Sequence, residues 1–276
     1  VTIALAIGVR KMARRKALIR RLPSVETLGC ASVICTDKTG TLTKNEMSVR
    51  KIWVNQEQID VSGVGYMPVG DFALNSKTIS LTDFPELRRL LEIGVLCNSA
   101  NLTNGSQGWQ ITGDPTEGAL LVVAEKGGIK KQELEIANPL LGEIPFDSER
   151  KRMSVLRQTV DGQILFVKGA PDLILDRCQT VHLRNGKVPL TPLLRQEILN
   201  ANHDFAAQAL RVLAMANKDI ESNKDIDGSM EDNLTFVGLV AMMDPPRSEV
   251  KQAIQTCMKA GILTVMITGD HKDTAE

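Results

Sequence analysis

Two short apolar segments that lie far apart in the sequence, each followed closely by a carboxylate, constrain the fold more than any other feature. Residues 32–36 (SVICT) run into Asp37, and residues 262–268 (ILTVMIT) run into Gly269-Asp270. Both segments are short and rich in β-branched residues, which is typical of buried strands in a parallel sheet. In open α/β sheets the reacting groups lie at the carboxyl ends of the strands. The sequence therefore predicts a split α/β domain that brings two carboxylates to one edge of its sheet.

The residues between these two segments show different patterns, which predict an inserted α+β domain spanning about residues 46–239. The Asp161-Gly162 pair indicates a tight hairpin turn, and the acidic, polar stretch 217–233 is predicted to be a loop. With 276 residues and 43% hydrophobic content, the chain is large enough for two ordinary domains. The predicted elements are strands at 47–55, 152–158, 163–168 and 235–240, and helices at 83–98, 115–126, 192–209 and 247–260.

The segment DKTGTLT, which begins at Asp37, carries the strongest chemical signal. A carboxylate at the end of a strand can attack a phosphorus atom and form an acyl phosphate. Gly40 allows the backbone to turn tightly, and Thr39 and Thr41 offer hydroxyls and amides to phosphate oxygens. Such a reaction needs a cation to offset negative charge, so the motif implies Mg²⁺.

DKTGTLT resembles the phosphorylation loop of the P-type ATPases, which are members of the haloacid-dehalogenase-like superfamily. The resemblance implies that Asp37 accepts the γ-phosphoryl group of ATP, that Lys38 and Thr39 belong to the catalytic loop, and that Asp37 and Thr39 help to hold Mg²⁺. Related phosphatases carry a second Asp two positions after the nucleophile, where it acts as acid and base. Thr39 occupies that position here. Without a general base the acyl phosphate hydrolyses slowly, which fits a pump better than a phosphatase.

Two further segments near the end of the chain resemble family motifs. Thr268-Gly269-Asp270 resembles the TGD segment, which implies that Thr268 and Gly269 hold the γ-phosphate and that Asp270 lies near the phosphate and the nucleotide. The sequence DPPR at 244–247 resembles the hinge between the nucleotide-binding and phosphorylation domains, and its two prolines stiffen that connection. The resemblance implies that Asp244 and Arg247 lie near the ribose and phosphates.

The inserted segment resembles the family's nucleotide-binding domain in several separate motifs. The resemblance implies that Phe146 stacks on the adenine, that Lys168 lies beside it, and that Glu117 meets its amino edge. The residues that match the pocket are Glu117 in GDPTEGAL, Phe146 and Lys151 in PFDSERKRMSV, Lys168 and Gly169 in KGAP, and Arg211 in LRVLAMA, the last matching a phosphate-contacting arginine.

One position in this pocket departs from a common relative. Ser148 stands where an arginine often lies, and Arg150 is a candidate to replace its phosphate contact. The wording of PFDSERKRMSV and VKGAPD resembles the calcium or sodium/potassium branch, with calcium as the preferred ion. The heavy-metal branch often carries CPC or CxxC motifs, and this sequence has neither.

The ends of the chain look like cuts through a longer protein. Residues 1–9 are apolar and lead into a basic cluster, like the cytoplasmic exit of a membrane helix, although an ordinary amphipathic helix is an equal alternative. The resemblance implies a multi-pass membrane protein with this segment on its cytoplasmic side. The expected division is 1–21 as the end of a membrane helix and a stalk, 22–45 as the first part of the phosphorylation domain, 46–239 as the nucleotide-binding domain, and 240–276 as a truncated second part.

The composition excludes little but helps to separate the alternatives. The 33 basic and 33 acidic residues balance, which argues against a nucleic-acid binder. The five widely spaced cysteines indicate reduced thiols rather than a zinc site. The expected partners are ATP and a transported cation. Two other interpretations stay open: a soluble aspartyl-phosphate phosphatase, and a nucleotide-binding module without catalysis.

Overall fold

The computed structural model describes residues 2–21, 23–106, 108–220 and 226–267. These residues form two compact units. One unit contains the described residues up to Lys44 together with those from Pro246 onward, and the other contains the described residues of Asn45–Pro245. The predicted TGD residues, 268–270, lie outside the described residues.

Helices and strands alternate irregularly along the described chain. The α-helices are α1 (Thr2–Arg14), α2 (Pro23–Gly29), α3 (Pro85–Leu96), α4 (Pro115–Lys126), α5 (Lys131–Ala137), α6 (Pro171–Leu175), α7 (Pro192–Ala206) and α8 (Val250–Lys259). The strands are β1 (Val33–Asp37), β2 (Ser48–Val54), β3 (Glu57–Val61), β4 (Phe72–Leu74), β5 (Lys77–Ile79), β6 (Asn101–Gly105), β7 (Gly108–Thr112), β8 (Leu140–Asp147), β9 (Arg152–Thr159), β10 (Gly162–Gly169), β11 (Cys178–Leu183), β12 (Gly186–Pro189), β13 (Arg211–Ile220), β14 (Leu234–Met243) and β15 (Leu263–Ile267). Among the described residues, no helix is both long enough and apolar enough to cross a bilayer.

The smaller unit contains the two strands that the sequence predicts to be parallel. β1 and β15 pair in parallel from Val33↔Leu263 to Asp37↔Ile267, which confirms their pairing. The prediction that they are buried is wrong in this structure, because Val33 and Ile267 are 48% and 58% exposed. Two strands packed with α8 offer too little apolar surface to cover both faces of a parallel sheet.

The larger unit is built on an eleven-stranded, mostly antiparallel sheet with helices, which agrees with the α+β domain predicted for the middle of the chain. Nine strands follow the order β5-β4-β3-β2-β14-β13-β10-β9-β8, and every neighbouring pair among them is antiparallel. β11 runs parallel to the first half of β14 and pairs with β12 on its other side. β6 and β7 form a separate hairpin.

Helices cover both faces of this sheet and create two apolar cores. On one face, Leu90 of α3 and Leu120 of α4 are buried against the sheet. On the other face, Ile174 of α6 and Phe205 of α7 are fully buried. Burying each such side chain contributes roughly 1.5–3 kcal/mol. Because both faces are packed, the sheet is a rigid support for side chains at its ends.

Two local predictions differ from the structure. The stretch predicted as a loop at 217–233 begins inside β13, because Asn217 pairs with Phe166 of β10 on one side and with Thr235 of β14 on the other. The later residues Gly228–Glu231 form a 3-10 helix rather than an irregular loop. The hairpin turn lies at residues 160–161, one position earlier than predicted, and Gly162 takes a φ of 128° as the first residue of β10.

Candidate functional site

Asp37 is the last residue of β1 and its side chain is exposed. The chain then turns through Lys38–Leu42, where Gly40 adopts a φ of 73° that a residue with a side chain rarely takes. The buried Thr43 closes the turn, because its hydroxyl accepts a hydrogen bond from Gly40 N and donates one to Lys38 O, both at 3.1 Å. The turn therefore has a defined shape immediately after the predicted nucleophile.

Arg247 supports the same turn from a distant part of the sequence. Its backbone N donates to Leu42 O at 2.9 Å, and its guanidinium donates to Gly40 O at 3.0 Å. The adjacent Pro246 forms a β-bridge with Thr43. These bonds keep residues 246–247 extended, so α8 begins at Val250 rather than at Arg247 as predicted. The resemblance implies that Arg247 lies near the nucleotide; in this structure its guanidinium holds the backbone of the turn that follows Asp37.

Asp244 has a comparable backbone contact within the larger unit. Its Oδ1 accepts a hydrogen bond from Glu46 N at 3.2 Å. The side chain therefore fastens the last residues of the larger unit to its first residues, where the chain enters and leaves the predicted insertion.

The predicted nucleotide residues converge because three antiparallel strands bring their matching ends together. Gly169 at the end of β10 pairs with Arg152 at the start of β9 on one side. On the other side Gly169 pairs with Ala214, near the start of β13. Residues from three distant motifs consequently lie at one end of the sheet. The first turn of α4 contacts the same end of the sheet.

Two of the predicted pocket residues form an ion pair at this end of the sheet. Lys168 Nζ donates to Glu117 Oε1 at 2.5 Å, and the side chains are only 8% and 16% exposed. The other oxygen of Glu117 accepts a hydrogen bond from Ser99 N at 3.0 Å. A charged pair with so little solvent contact interacts more strongly than a surface pair, and its geometry is well defined.

Residues that the sequence does not single out support this ion pair. Asn98 Nδ2 donates to Glu117 O at 2.9 Å and to Gly94 O at 3.0 Å, while its Oδ1 accepts from Ala100 N. The buried Cys97 thiol donates to Met153 O. Burial raises the pKa of Cys97 to about 11, against the opposing influence of the nearby Lys168 charge. The sequence places these residues only at the end of a helix, which does not distinguish them from core residues.

Arg211 and the first turn of α4 form the neighbouring part of the site. Arg211 Nη1 donates to Thr116 Oγ1 at 3.1 Å, and the Arg211 side chain is otherwise open to solvent. Asp114 caps α4 by accepting from Thr116 N at 2.7 Å and Glu117 N at 3.2 Å. This cap fixes the direction in which Glu117 leaves the helix.

Phe146 and Lys151 flank a turn between β8 and β9. Phe146 is 64% exposed, which leaves its ring available for contact with another flat group. Asp147 Oδ1 accepts hydrogen bonds from Arg150 N and Glu149 N, both at 2.9 Å, and these bonds lower the pKa of its carboxyl group. Lys151 takes a φ of 49° at the end of the turn.

Gly169 links this turn to Lys168 by close backbone contact. A Cβ placed on Gly169 lies 2.5 Å from Lys151 O and 2.6 Å from Arg152 Cβ. The next residue, Ala170, donates its backbone N to the same Lys151 oxygen at 2.9 Å. The absence of a side chain at Gly169 therefore allows the Lys151 turn to lie directly against the end of β10.

Arg150, the candidate replacement for the missing arginine at position 148, has another role here. Its guanidinium donates to both carboxylate oxygens of Glu231 at 3.0 Å and to Pro145 O at 3.1 Å. With its donors used in this way, Arg150 holds the turn together, so the suggestion that it contacts phosphate is not supported.

Two clefts of the described chain lie away from the predicted nucleotide residues. A cleft of about 240 Å³ is lined by residues of β6, β7, α4 and α5, including Trp109 and Lys131. Another of about 230 Å³ includes Arg89 and Asp161. Neither contains Phe146, Lys151 or Lys168. Among the described residues, no group of three or more His, Cys, Asp or Glu is arranged to hold a metal.

The family follows from comparison of the sequence with known proteins. Residues 86–249 match the model of a family described as "P-type ATPase, cytoplasmic domain N". The chain belongs to the P-type cation-transporting ATPases. The matched range includes the Lys168–Glu117 pair, Phe146 and Arg211, and Asp37 lies outside it. The recognised segment is thus a cytoplasmic domain of this family.

Full-length relatives extend this P-type ATPase match over the whole chain. The chain is 42% identical over 278 residues to the "Calcium-transporting ATPase" of Bacillus subtilis, covering 100% of the chain and 31% of that protein. It is 43% identical over 283 residues to the "Cation-transporting ATPase pma1" of Synechocystis, with coverage of 100% and 31%. It is 45% identical over 277 residues to the "Calcium-transporting ATPase 1" of Bacillus cereus, with coverage of 100% and 29%. The chain therefore spans about a third of the length of these relatives.

Proposed function

We propose that this chain is the ATP-binding and aspartyl-phosphorylation segment of an ATP-driven cation pump. The observation that carries the proposal is the exposed Asp37 at the carboxyl end of a parallel strand, followed by a turn that Arg247 fastens. Family membership makes ATP the expected phosphoryl donor. Calcium is the preferred transported ion, because two of the relatives named above are called calcium-transporting ATPases.

ATP binding is assigned to the end of the large sheet. Phe146 offers an exposed ring for stacking on the adenine, and Lys168 and Glu117 lie side by side at the base of this surface. Lys151 and Arg211 supply positive charge at its margin. Base stacking on an aromatic side chain and charged contacts to phosphate together suit a nucleoside triphosphate.

The phosphoryl step is assigned to Asp37. Its carboxylate oxygen attacks the γ-phosphorus, the bond to the β,γ-bridging oxygen breaks, and ADP leaves while an acyl phosphate remains on Asp37. Thr39 replaces the acid/base Asp of related phosphatases, so this acyl phosphate persists for longer before water hydrolyses it. Catalysis of this kind consists mainly of positioning and charge stabilisation.

Mg²⁺ fits the kind of donors that this loop offers. The Asp37 carboxylate and the Thr39 oxygens are hard ligands of the sort that Mg²⁺ prefers. They are too few to complete a site, and the predicted Thr268, Gly269 and Asp270 lie outside the described residues. When bound, Mg²⁺ supplies positive charge that offsets the charge of the transferring phosphoryl group.

The proposed domain plan follows the sequence expectation. The plan assigns residues 22–45 and 240–276 to a haloacid-dehalogenase-like phosphorylation domain and residues 46–239 to the nucleotide-binding domain. Its boundaries shift in one respect: residue 45 and residues 240–245 go with the larger unit, because β14 continues to Met243 within the large sheet. Residues 1–21 lead from a membrane helix of the longer protein, which places this segment on the cytoplasmic side. The parallel β1–β15 pair supports the first part of this plan, and the compact unit Asn45–Pro245 supports the second.

Titration of the purified chain with ATP, with and without Mg²⁺, tests the binding proposal by calorimetry. Lys168→Ala should weaken ATP binding about ten- to hundredfold, because a buried charged hydrogen-bonding group is worth about 1.5–3 kcal/mol. Lys51→Ala is the matched control, since it removes the same charge from a surface pair with Asp60 on the same sheet. Equal affinities of the two variants, or no binding by a chain that circular dichroism shows to be folded, contradict the assignment.

A further inference from the structure

The carboxylate of Glu231 lies at the centre of a buried charge cluster that the pocket assignment does not use. Its side chain is 0% exposed. It accepts hydrogen bonds from Arg152 Nε at 2.6 Å, from Ser154 Oγ at 2.5 Å, and from Arg150 Nη1 at 3.0 Å. Burial by itself raises the pKa of Glu231, but these bonds and the two arginine charges lower it overall, so the carboxyl stays ionised at neutral pH.

The donors of this cluster hold both sides of the turn that presents Phe146 and Lys151. The second terminal nitrogen of Arg150 donates to Pro145 O at 3.1 Å and to Arg152 O at 3.3 Å. Arg152 in turn donates to Arg150 O at 3.2 Å. Together with the Glu231 carboxylate, the two guanidinium groups tie the backbone before the turn to the backbone after it.

Glu231 can fix the turn because its own segment is fastened to the sheet. Lys218 of β13 donates its ammonium to Met230 O at 3.3 Å and to Asp232 O at 2.8 Å. Asp227 caps the short helix by accepting from Ser229 N at 2.7 Å. The Lys218 ammonium of β13 thus holds the carbonyls on both sides of Glu231, while the hydrogen bonds of the Glu231 carboxylate extend to β9 and the β8–β9 turn.

A stabilising role alone does not account for this arrangement. A buried ion pair is often no more stabilising than apolar side chains of similar volume, because the charges lose their hydration. The charged groups fix relative positions, because the two arginine guanidinium groups donate hydrogen bonds of defined geometry to one carboxylate. The residues whose position depends on that geometry, Phe146 and Lys151, are the ones assigned to the nucleotide.

We propose that Glu231 is a positioning residue for nucleotide binding, which holds the β8–β9 turn in the conformation that accepts adenine on Phe146. This proposal rests on the proposed function, because it assumes that Phe146 contacts the base. Loss of the charge leaves Arg150 and Arg152 to find other partners, and the turn has to be ordered anew each time a nucleotide binds. Ordering one or two side chains on binding weakens affinity about three- to tenfold.

Titration of the full chain with ATP and with adenosine tests the proposal on Glu231→Gln, which keeps the shape of the side chain and removes its charge. Both ligands should bind about three- to tenfold more weakly. Adenosine has no phosphate, so its weaker binding indicates a misplaced Phe146 rather than a lost phosphate contact. Asp232→Asn is the matched control, because it removes an equal charge one residue away whose partner, Arg177, lies outside the turn. This control should bind both ligands like the unaltered chain.

A coupling measurement separates positioning from general stability. In a Phe146→Ala background, Glu231→Gln should change adenosine affinity by less than twofold, since the ring that it positions is absent. Equal losses with and without Phe146 overturn the proposal. If Glu231→Gln does not fold, Arg150→Met decides instead, because Glu231 keeps Arg152 and Ser154 and the Arg150 side chain is already 27% exposed. Unchanged adenosine affinity in that variant overturns the proposal.

The outcomes also separate this proposal from the proposed function. If the unaltered, folded chain binds neither ATP nor adenosine, the nucleotide assignment fails and the role of Glu231 fails with it. If the chain binds both and Phe146→Ala weakens binding, while Glu231→Gln and Arg150→Met do not, the nucleotide assignment stands and only the role of Glu231 is refuted.

Discussion

Replacing Gly169 by alanine tests whether close packing of two strands holds the nucleotide surface together. A Cβ at this position lies 2.5 Å from Lys151 O, 2.6 Å from Arg152 Cβ and 2.8 Å from Arg152 Cα. All three atoms are backbone or are attached directly to it, so no change of side-chain rotamer can relieve the contact. The two strands must separate locally, and the Ala170 N to Lys151 O hydrogen bond of 2.9 Å lies at the same point.

The expected cost follows from this geometry. Overpacking of this kind destabilises a protein by about 1–3 kcal/mol. For a domain of about 150–250 residues, each kcal/mol lowers the melting temperature by about 2–4 °C, so Gly169→Ala should melt about 2–12 °C lower. The affinity for ATP should fall as well, because Lys151 and Lys168 lie on the two sides of the contact.

Differential scanning calorimetry of the chain with and without ATP measures both effects. Gly228→Ala is the matched control, because a Cβ there has no atom within 4 Å and its φ is not in the left-handed region. That substitution should be neutral or slightly stabilising, since alanine reduces the conformational entropy of the unfolded chain. An equal melting temperature for Gly169→Ala and the control refutes the packing argument.

Three further predictions concern single side chains. Phe146→Ala should weaken ATP binding about 5- to 150-fold, since stacking on a base is worth about 1–3 kcal/mol. Because the Phe146 side chain is 64% exposed, the substitution should change the stability by no more than about 0.5 kcal/mol. Leu193→Ala is the control, since Leu193 is similarly exposed at 70%. Equal ATP affinity for the two variants contradicts the stacking role. Asp37→Asn should abolish an acid-stable, hydroxylamine-sensitive label from γ-labelled ATP, and a label that persists identifies another acceptor. The pKa of Glu231 in the folded state lies below its ordinary 4.5, because its hydrogen bonds and neighbouring charges outweigh the effect of burial. Its contribution to stability is therefore present above pH 4.5 and is lost as the pH falls through the lower folded value. Urea unfolding should accordingly depend less on pH in the acid range for Glu231→Gln, and equal acid slopes contradict this.

The strand end and the turn around Asp37 were predictable because they depend on neighbours in sequence. A β-branched run followed by DKTGTLT identifies a strand end, a carboxylate and a tight turn without knowledge of the rest of the chain. The structure confirms the strand, its parallel partner and the tight turn at Gly40, whose φ is 73°. It adds Arg247, whose contact with Gly40 O joins residues 207 positions apart and has no local signal.

The residues proposed to bind the nucleotide were predicted one motif at a time, and their contacts with one another were not predicted. The motifs identify Glu117 and Lys168 separately, and nothing in either motif indicates that the two side chains form an ion pair across 51 positions. Glu231 lies at the end of a stretch predicted to be a polar loop, yet its carboxylate is fully buried. Burial of a charge depends on its partners, and those partners come from another strand.

The amino-acid sequence by itself predicted six strands (β1, β2, β9, β10, β14 and β15), the four helices α3, α4, α7 and α8, and the tight turn at Gly40, because these depend on spacing and on backbone sterics within a few residues. Tertiary structure alone decided the strand order, the extension of β13 into a polar segment, the hydrogen bonds from Arg150 to Glu231, and the charge cluster around Glu231. The physical reason is that hydrogen-bond partners and desolvation are set by groups that meet only after the chain has folded.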